Sequence, residues 1–317
     1  YVRVIKQSYD FGFDSIDALI DDLETGLKTF NTRLDYNLNL AYDGRSVVGD
    51  NPDDLQDRAY GDNDVRARHG RTHGTHVSGI IAAKRHNGIG INGAANRVKI
   101  MAIRNTPSGD EYDKDVALGV YYAVDNGAKV INMSFGKQFS PHSNWVRDAI
   151  AYAAKNDVLI VAAAGNDAQN TDEINYFPND QINNGEEVSN TFLKVGSIGP
   201  KYGSTMVASY SNYGKNTVDV FAPGSEIYST YPKESYEFAS GTSMAAPLVS
   251  GVAALVFSQY PSLSAAQVKQ LLISSGIPIN KKVSLENGAV VPFDELSKSG
   301  KLVNAYNALL MASKLSK

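Results

Sequence analysis

Between residues 98 and 221 the chain carries five short runs that are apolar at nearly every position: 98–103 (VKIMAI), 129–133 (KVINM), 158–163 (VLIVAA), 193–198 (LKVGSI) and 218–221 (VDVF). A strand with one wet face alternates apolar and polar residues, so runs without alternation belong to strands buried on both faces. Helical spacing marks 74–85, 113–126, 143–156, 243–259, 264–275 and 302–314. This order predicts an α/β fold of three layers, with a mostly parallel central sheet and helices on both faces. Ligands of such sheets sit beyond the carboxyl ends of the strands.

Composition narrows the class further. The 317 residues suffice for a large buried core, and 43% hydrophobic with 20% charged residues is ordinary for a globular chain. The net charge of −4 argues against nucleic acid as a partner, because phosphate binding needs a basic face. The absence of cysteine excludes disulfides, thiol catalysis and Cys-based zinc sites. No run reaches the roughly 20 apolar residues expected of a membrane span. The chain opens at Tyr1 without an initiator Met or a visible signal peptide, so an upstream portion is expected.

Two segments stand outside the alternating pattern. Ile16, Leu19, Ile20, Leu23 and Leu27 recur at helical spacing among acidic residues and predict an amphipathic helix. Residues 41–70 are rich in Gly, Asn and Asp and read as a long surface loop.

Three motifs carry chemistry. In Gly241-Thr242-Ser243-Met244-Ala245-Ala246-Pro247, Ser243 opens a helix that is small and apolar all round. Pro247 is placed in its first turn, where a missing N–H costs least. Unpaired N–H groups and the positive end of the dipole favour a nucleophilic oxygen and an oxyanion there. His73-Gly74-Thr75-His76-Val77-Ser78-Gly79 puts an imidazole, the natural base for a serine hydroxyl, at the start of another helix. His76 is expected to be buried and hydrogen-bonded, and no zincin pattern makes the pair a metal site. His69, His86 and His142 are expected at the surface. Ala163-Ala164-Gly165-Asn166 ends an apolar strand with an amide able to donate to a developing oxyanion. Each motif alone has a bland reading, as a helix cap, a core histidine or a turn.

Together, in the order His, Asn, Ser, these motifs resemble those of the subtilisin-like (peptidase S8) serine protease family. The polar run from Val48 to Val65 is closest to Bacteroidetes-type bacterial subtilases. The resemblance implies a subtilisin-like fold and a secreted or periplasmic, cell-surface serine endopeptidase. It implies Ser243 as nucleophile, His73 as general base and Asn166 in the oxyanion hole. It further implies Ser134, Phe135 and Gly136 as one wall of the S1 pocket and Ala163, Ala164 and Gly165 as the other. Ser108 and Gly109 would be the edge that pairs with an extended substrate. Asp167, next to Asn166, would lie near the S1 rim and give mild tolerance for basic P1 side chains. Two other readings use the same fold: a non-catalytic peptide-binding member, and a peptide ligase or cyclase working through the same acyl-enzyme.

The resemblance calls for a triad carboxylate at the end of an apolar strand upstream of His73, and Asp10, in Asp10-Phe11-Gly12, is the nearest formal match. Asp10 follows Lys6, Gln7 and Ser8, which do not suit a strand buried on both faces, and Asp57, Asp62 and Asp64 lie in the polar loop. We therefore expect residues 1–40 to be the end of a helical insertion and 41–317 to be a catalytic domain whose Asp-bearing strand lies upstream, on an associated N-terminal fragment of the same precursor. No cofactor is expected, although 86–93 (HNGIGING) resembles in length a loop that binds calcium in some family members.

Overall fold

The computed structural model describes residues 15–66, 72–106, 111–183 and 185–315. They form two compact units, one taking in the described residues up to Asp62 with Thr106, the other Asn63–Asn105 and Glu111 onward.

The first unit holds helix α1 (Ile16–Thr32), which continues into a π-helical turn, Arg33–Asn37. The helix is amphipathic as expected, and its apolar residues Ile20, Leu23, Leu27 and Phe30 are exposed. The polar segment after it is ordered by local bonds. The Asp43 carboxylate caps the 3-10 turn Gly44–Val47 by accepting from the Arg45 and Ser46 N–H groups. The buried Arg45 guanidinium pairs with Asp50 at 2.5 Å.

The second unit contains helices α2 (His73–Ala82), α3 (Asp113–Asp125), α4 (Ser143–Lys155), α5 (Thr242–Gln259), α6 (Ala265–Ser274) and α7 (Ala305–Leu315). Its sheet has the order β1 (Val130–Met133), β2 (Leu159–Ala163), β3 (Phe192–Ile198), β4 (Val220–Pro223), β10 (Lys301–Leu302), β7 (Ile277–Pro278). All neighbours are parallel except β10 and β7. Two antiparallel hairpins stand apart: β5 (Ile227–Tyr231) with β6 (Ser235–Ala239), and β8 (Lys282–Ser284) with β9 (Val290–Pro292).

Every residue of β2 and β3 is buried, as unalternated strands require. Leu159, Val161, Leu193, Val195 and Val220 pack on α5, α6 and α7, while α4 packs on β2 outside that cluster. The α5 helix is apolar and long enough to cross a membrane, with mean hydropathy 1.3, but 61% of it is buried inside the fold. It is a core helix lying along β1–β4. A Ser264–Gln267 capping box starts α6.

One expected strand does not form. Residues 98–103 form no strand and pair with none among the described residues, and Ile100, Met101 and Ile103 are exposed at 46%, 41% and 37%. Apolar patterning states what a segment must bury, and pairing also needs a neighbour. Among the described residues β1 has a partner on one side only, and Val130, Ile131 and Asn132 are half-buried.

Candidate active site

Parallel pairing fixes the geometry at the carboxyl ends of β1 and β2. Met133 stands opposite Ala162, so Ser134-Phe135-Gly136 and Ala163-Ala164-Gly165 leave the sheet side by side. Ala163 and Ala164 are buried, and the Ala164 carbonyl accepts from the Asn212 amide at 3.0 Å. That fully buried Asn212 also accepts from the Asp167 and Gln169 N–H groups, so one side chain holds the turn that carries Asn166.

Ser243 is the second residue of α5. Its Oγ donates to the Ser134 carbonyl at 3.1 Å, and the Ser134 Oγ donates to the Ser243 carbonyl at 2.8 Å. Pro247 lies beyond the first turn, not within it as the sequence suggested. Its missing N–H would have bonded the Ser243 carbonyl four residues back. The Ser134 hydroxyl supplies that bond. Behind it, Asn132 donates to Ser134 Oγ at 2.8 Å and accepts from Ser250 Oγ at 2.9 Å.

Asn166 is exposed, but its carbonyl oxygen is fixed by two donors, the Thr242 N–H at 2.8 Å and Oγ1 at 2.9 Å. These bonds decide which end of the amide is which. The NH₂ group makes no bond among the described residues, and it borders the space beside Gly241 that Ser243 N also borders. Both are hydrogen-bond donors at the positive end of α5.

His73 opens α2, whose Val77 and Ile80 pack on Met244, the residue after Ser243. The α2 helix therefore packs, through its middle turns, on the start of α5. Desolvation, then the neighbouring His76, lowers the His73 pKa from its ordinary value. No carboxylate among the described residues acts on it, and the ring makes no hydrogen bond there. Asp57 accepts from the Asn51 N–H, and Asp64 pairs with Arg66. Asp10, Ser108, Gly109 and His69 lie outside the described residues. His76 is 1% exposed, and its Nε2 faces the Ile227 and Glu237 carbonyls at 3.0 and 3.1 Å. It pins the β5–β6 hairpin to α2, the buried role read from the sequence.

The 86–93 loop contains no carboxylate. Its Asn92 and Asn87 side chains accept from the His86 and Ile89 N–H groups within the same loop. No three His, Cys, Asp or Glu residues converge on a metal position among the described residues. The loop's own residues do not make the carboxylate-rich shell that calcium favours.

A serine at a helix start, a histidine on the adjoining helix and an oriented amide beside them define a serine hydrolase of the acyl-transfer type. The comparisons give the family. The sequence model of the subtilase family matches residues 17–297, and the chain belongs to this family of subtilisin-like serine endopeptidases. It is 38% identical over 254 residues to thermitase from Thermoactinomyces vulgaris, a match covering 78% of each chain. It is 34% identical over 281 residues to the cell wall-associated protease of Bacillus subtilis (strain 168), covering 88% of this chain but 28% of that protein. Among solved structures, a protease from Pseudoalteromonas arctica superposes with TM-score 0.61 at 32% identity, covering 76% of this chain and 70% of that one.

Sequence reasoning missed Thr242, Asn132, Asn212 and the side-chain role of Ser134. None has a spacing signature, because each acts through contacts 76 to 118 residues or at least 43 residues away in the chain.

Proposed function

We propose that this chain hydrolyses peptide bonds through an acyl-enzyme on Ser243. His73 takes the Ser243 proton as Oγ attacks the scissile carbonyl, and returns it to the leaving amine. The oxyanion is held by Asn166 Nδ2 and Ser243 N–H. Water then repeats the cycle on the ester, with the same base. The observation that carries this reading is the double clamp of Thr242 on Asn166 Oδ1, which leaves the amide donor committed to no other group beside Ser243. A fluorophosphonate should label Ser243 covalently, and Ser243→Ala and His73→Ala should abolish both label and peptide cleavage. Labelling elsewhere in an otherwise active protein would refute the assignment.

The carboxylate that orients His73 is proposed to come from a parallel strand pairing with the open side of β1, on an associated N-terminal fragment of the same precursor. The half-buried β1, at the edge of the sheet, supports this, since its open side gains cover from a strand laid against it, and the exposed apolar Ile100, Met101 and Ile103 leave further surface to cover. Intact-mass analysis of the native protein should find a second polypeptide that co-purifies. A fully active 317-residue monomer would rule it out. The substrate is a peptide or protein chain, and the family likeness to a cell wall-associated protease supports an extracellular or cell-surface location.

A further inference from the structure

Tyr176 lies against both proposed S1 walls at once. A Cβ built on Gly136 would come within 2.5 Å of Tyr176 Cε1, and one built on Gly165 within 2.4 Å of Tyr176 Cζ. Contacts this close exist only because both residues are glycine, and Gly165 also needs its φ of +107°. The ring therefore fills the interval between the two segments. The tyrosine is 8% exposed. Burial, followed by the negative charge of Asp167, raises the pKa of its phenol, its carbonyl accepts from the buried Lys194 Nζ at 3.1 Å, and the next residue, Phe177, pairs with Lys137 in both directions at 2.8 and 2.9 Å.

The geometry points to Tyr176 as the residue that sets P1 specificity: its ring closes the S1 pocket between Gly136 and Gly165 and restricts the substrate class to peptides with small P1 side chains, alanine, serine or glycine. This rests on the proposed S1 walls and on Ser243 as nucleophile. A Phe or Leu at P1 would have to displace a buried ring whose backbone is held on both sides. Such overpacking of a filled space is disfavoured. Asp167 then acts on the phenol, and a basic P1 side chain would compete with the phenol for it.

The test compares succinyl-Ala-Ala-Pro-X p-nitroanilides with X as Ala, Leu or Phe, on the native protein and on Tyr176→Gly and Tyr176→Phe. The native protein should prefer Ala over Phe at least 10-fold in kcat/KM. Tyr176→Gly should raise the rate on Phe at least 10-fold, and Tyr176→Phe, which keeps the ring, should keep the preference even where the glycine variant fails to fold. In parallel, binding of N-acetyl-Ala-Ala-Pro-Ala and N-acetyl-Ala-Ala-Pro-Phe is measured calorimetrically on Ser243→Ala protein, which needs no chemistry. Tighter binding of the alanine peptide supports the closed pocket even where Ser243 takes no fluorophosphonate, a result that would strike only at the hydrolytic reading. Equal affinities, no binding of either peptide, or a native protein that cleaves Phe as fast as Ala overturns the inference.

Discussion

Ser134 and Ser243 exchange hydrogen bonds, each hydroxyl donating to the other's carbonyl, across 109 residues of sequence. One of these bonds replaces the helical bond that Pro247 cannot make. Ser134→Ala should therefore destabilise the start of α5 by about 1 kcal/mol, the usual worth of one such bond. Pro247→Ala should suppress that loss, because the new N–H can donate to the Ser243 carbonyl. Urea unfolding of the two single variants and the double variant measures the coupling. Additive effects would remove the connection.

Thr242 orients Asn166 and does not touch the reacting atoms. Thr242→Val removes one of the two donors to Asn166 Oδ1 and should lower kcat about 10-fold with KM nearly unchanged, which corresponds to about 1.4 kcal/mol. Asn166→Ala should lower kcat by ~10²–10³, the cost of one oxyanion donor. Steady-state kinetics on a common peptide substrate compares them.

The lowered pKa of His73 sets the pH profile. The imidazole is neutral, and so able to act as base, above that pKa. The rate of fluorophosphonate labelling should rise with pH with a midpoint below the ordinary 6.5. Binding of a carboxylate-bearing N-terminal fragment should move the midpoint upward, because a nearby negative charge favours the imidazolium.

Glu187, Asp219, Lys269 and Lys298 form a charged cluster, with Asp180 and Lys194 close enough to feel it. Burial, followed by the negative charge of Glu187, pushes Asp180 from 3.8 up to about 7, while Lys269 and Lys298 act in the opposite sense. The native state keeps a proton that the unfolded chain has released, so this group's contribution to stability falls as pH rises from about 4 to about 7. Asp180→Asn should flatten that part of the stability–pH curve, by a few kcal/mol at most. Lys194 has the opposite sign. Burial lowers it from 10.5 to about 8, so its charged form is disfavoured in the fold and stability gains as pH rises between those values. Chemical unfolding at pH 5, 7 and 9 separates the two.

The 86–93 loop closes on its own Asn side chains. Addition of a chelator should leave the melting temperature unchanged. A drop of several degrees would show that this loop, or another site, holds a structural cation.

Helix and strand positions were legible because burial leaves a periodic trace. The expected runs at 158–163 and 193–198 are β2 and β3, which differ by one residue at their starts, and α3, α4 and α5 end within one residue of expectation. The β5–β6 hairpin was not legible. Its Tyr228, Phe238 and Glu237 do not alternate by burial, and it is fixed to α2 through His76 rather than through a core of its own. Residues 98–103 fail in the opposite sense, since their pattern is that of a strand and no strand pairs with them among the described residues.

The sequence by itself determined the sheet-and-helix alternation and the family, and pointed to Ser243, His73 and Asn166 as candidate site residues, because each is written in a contiguous run. It could not determine which way the Asn166 amide points, what satisfies the Ser243 carbonyl, or what lies between Gly136 and Gly165. Those are decided by Thr242, Ser134 and Tyr176, each through contacts with residues that lie elsewhere in the chain. Hydrogen bonding and close packing act through space, and only the folded chain sets the distances on which they depend.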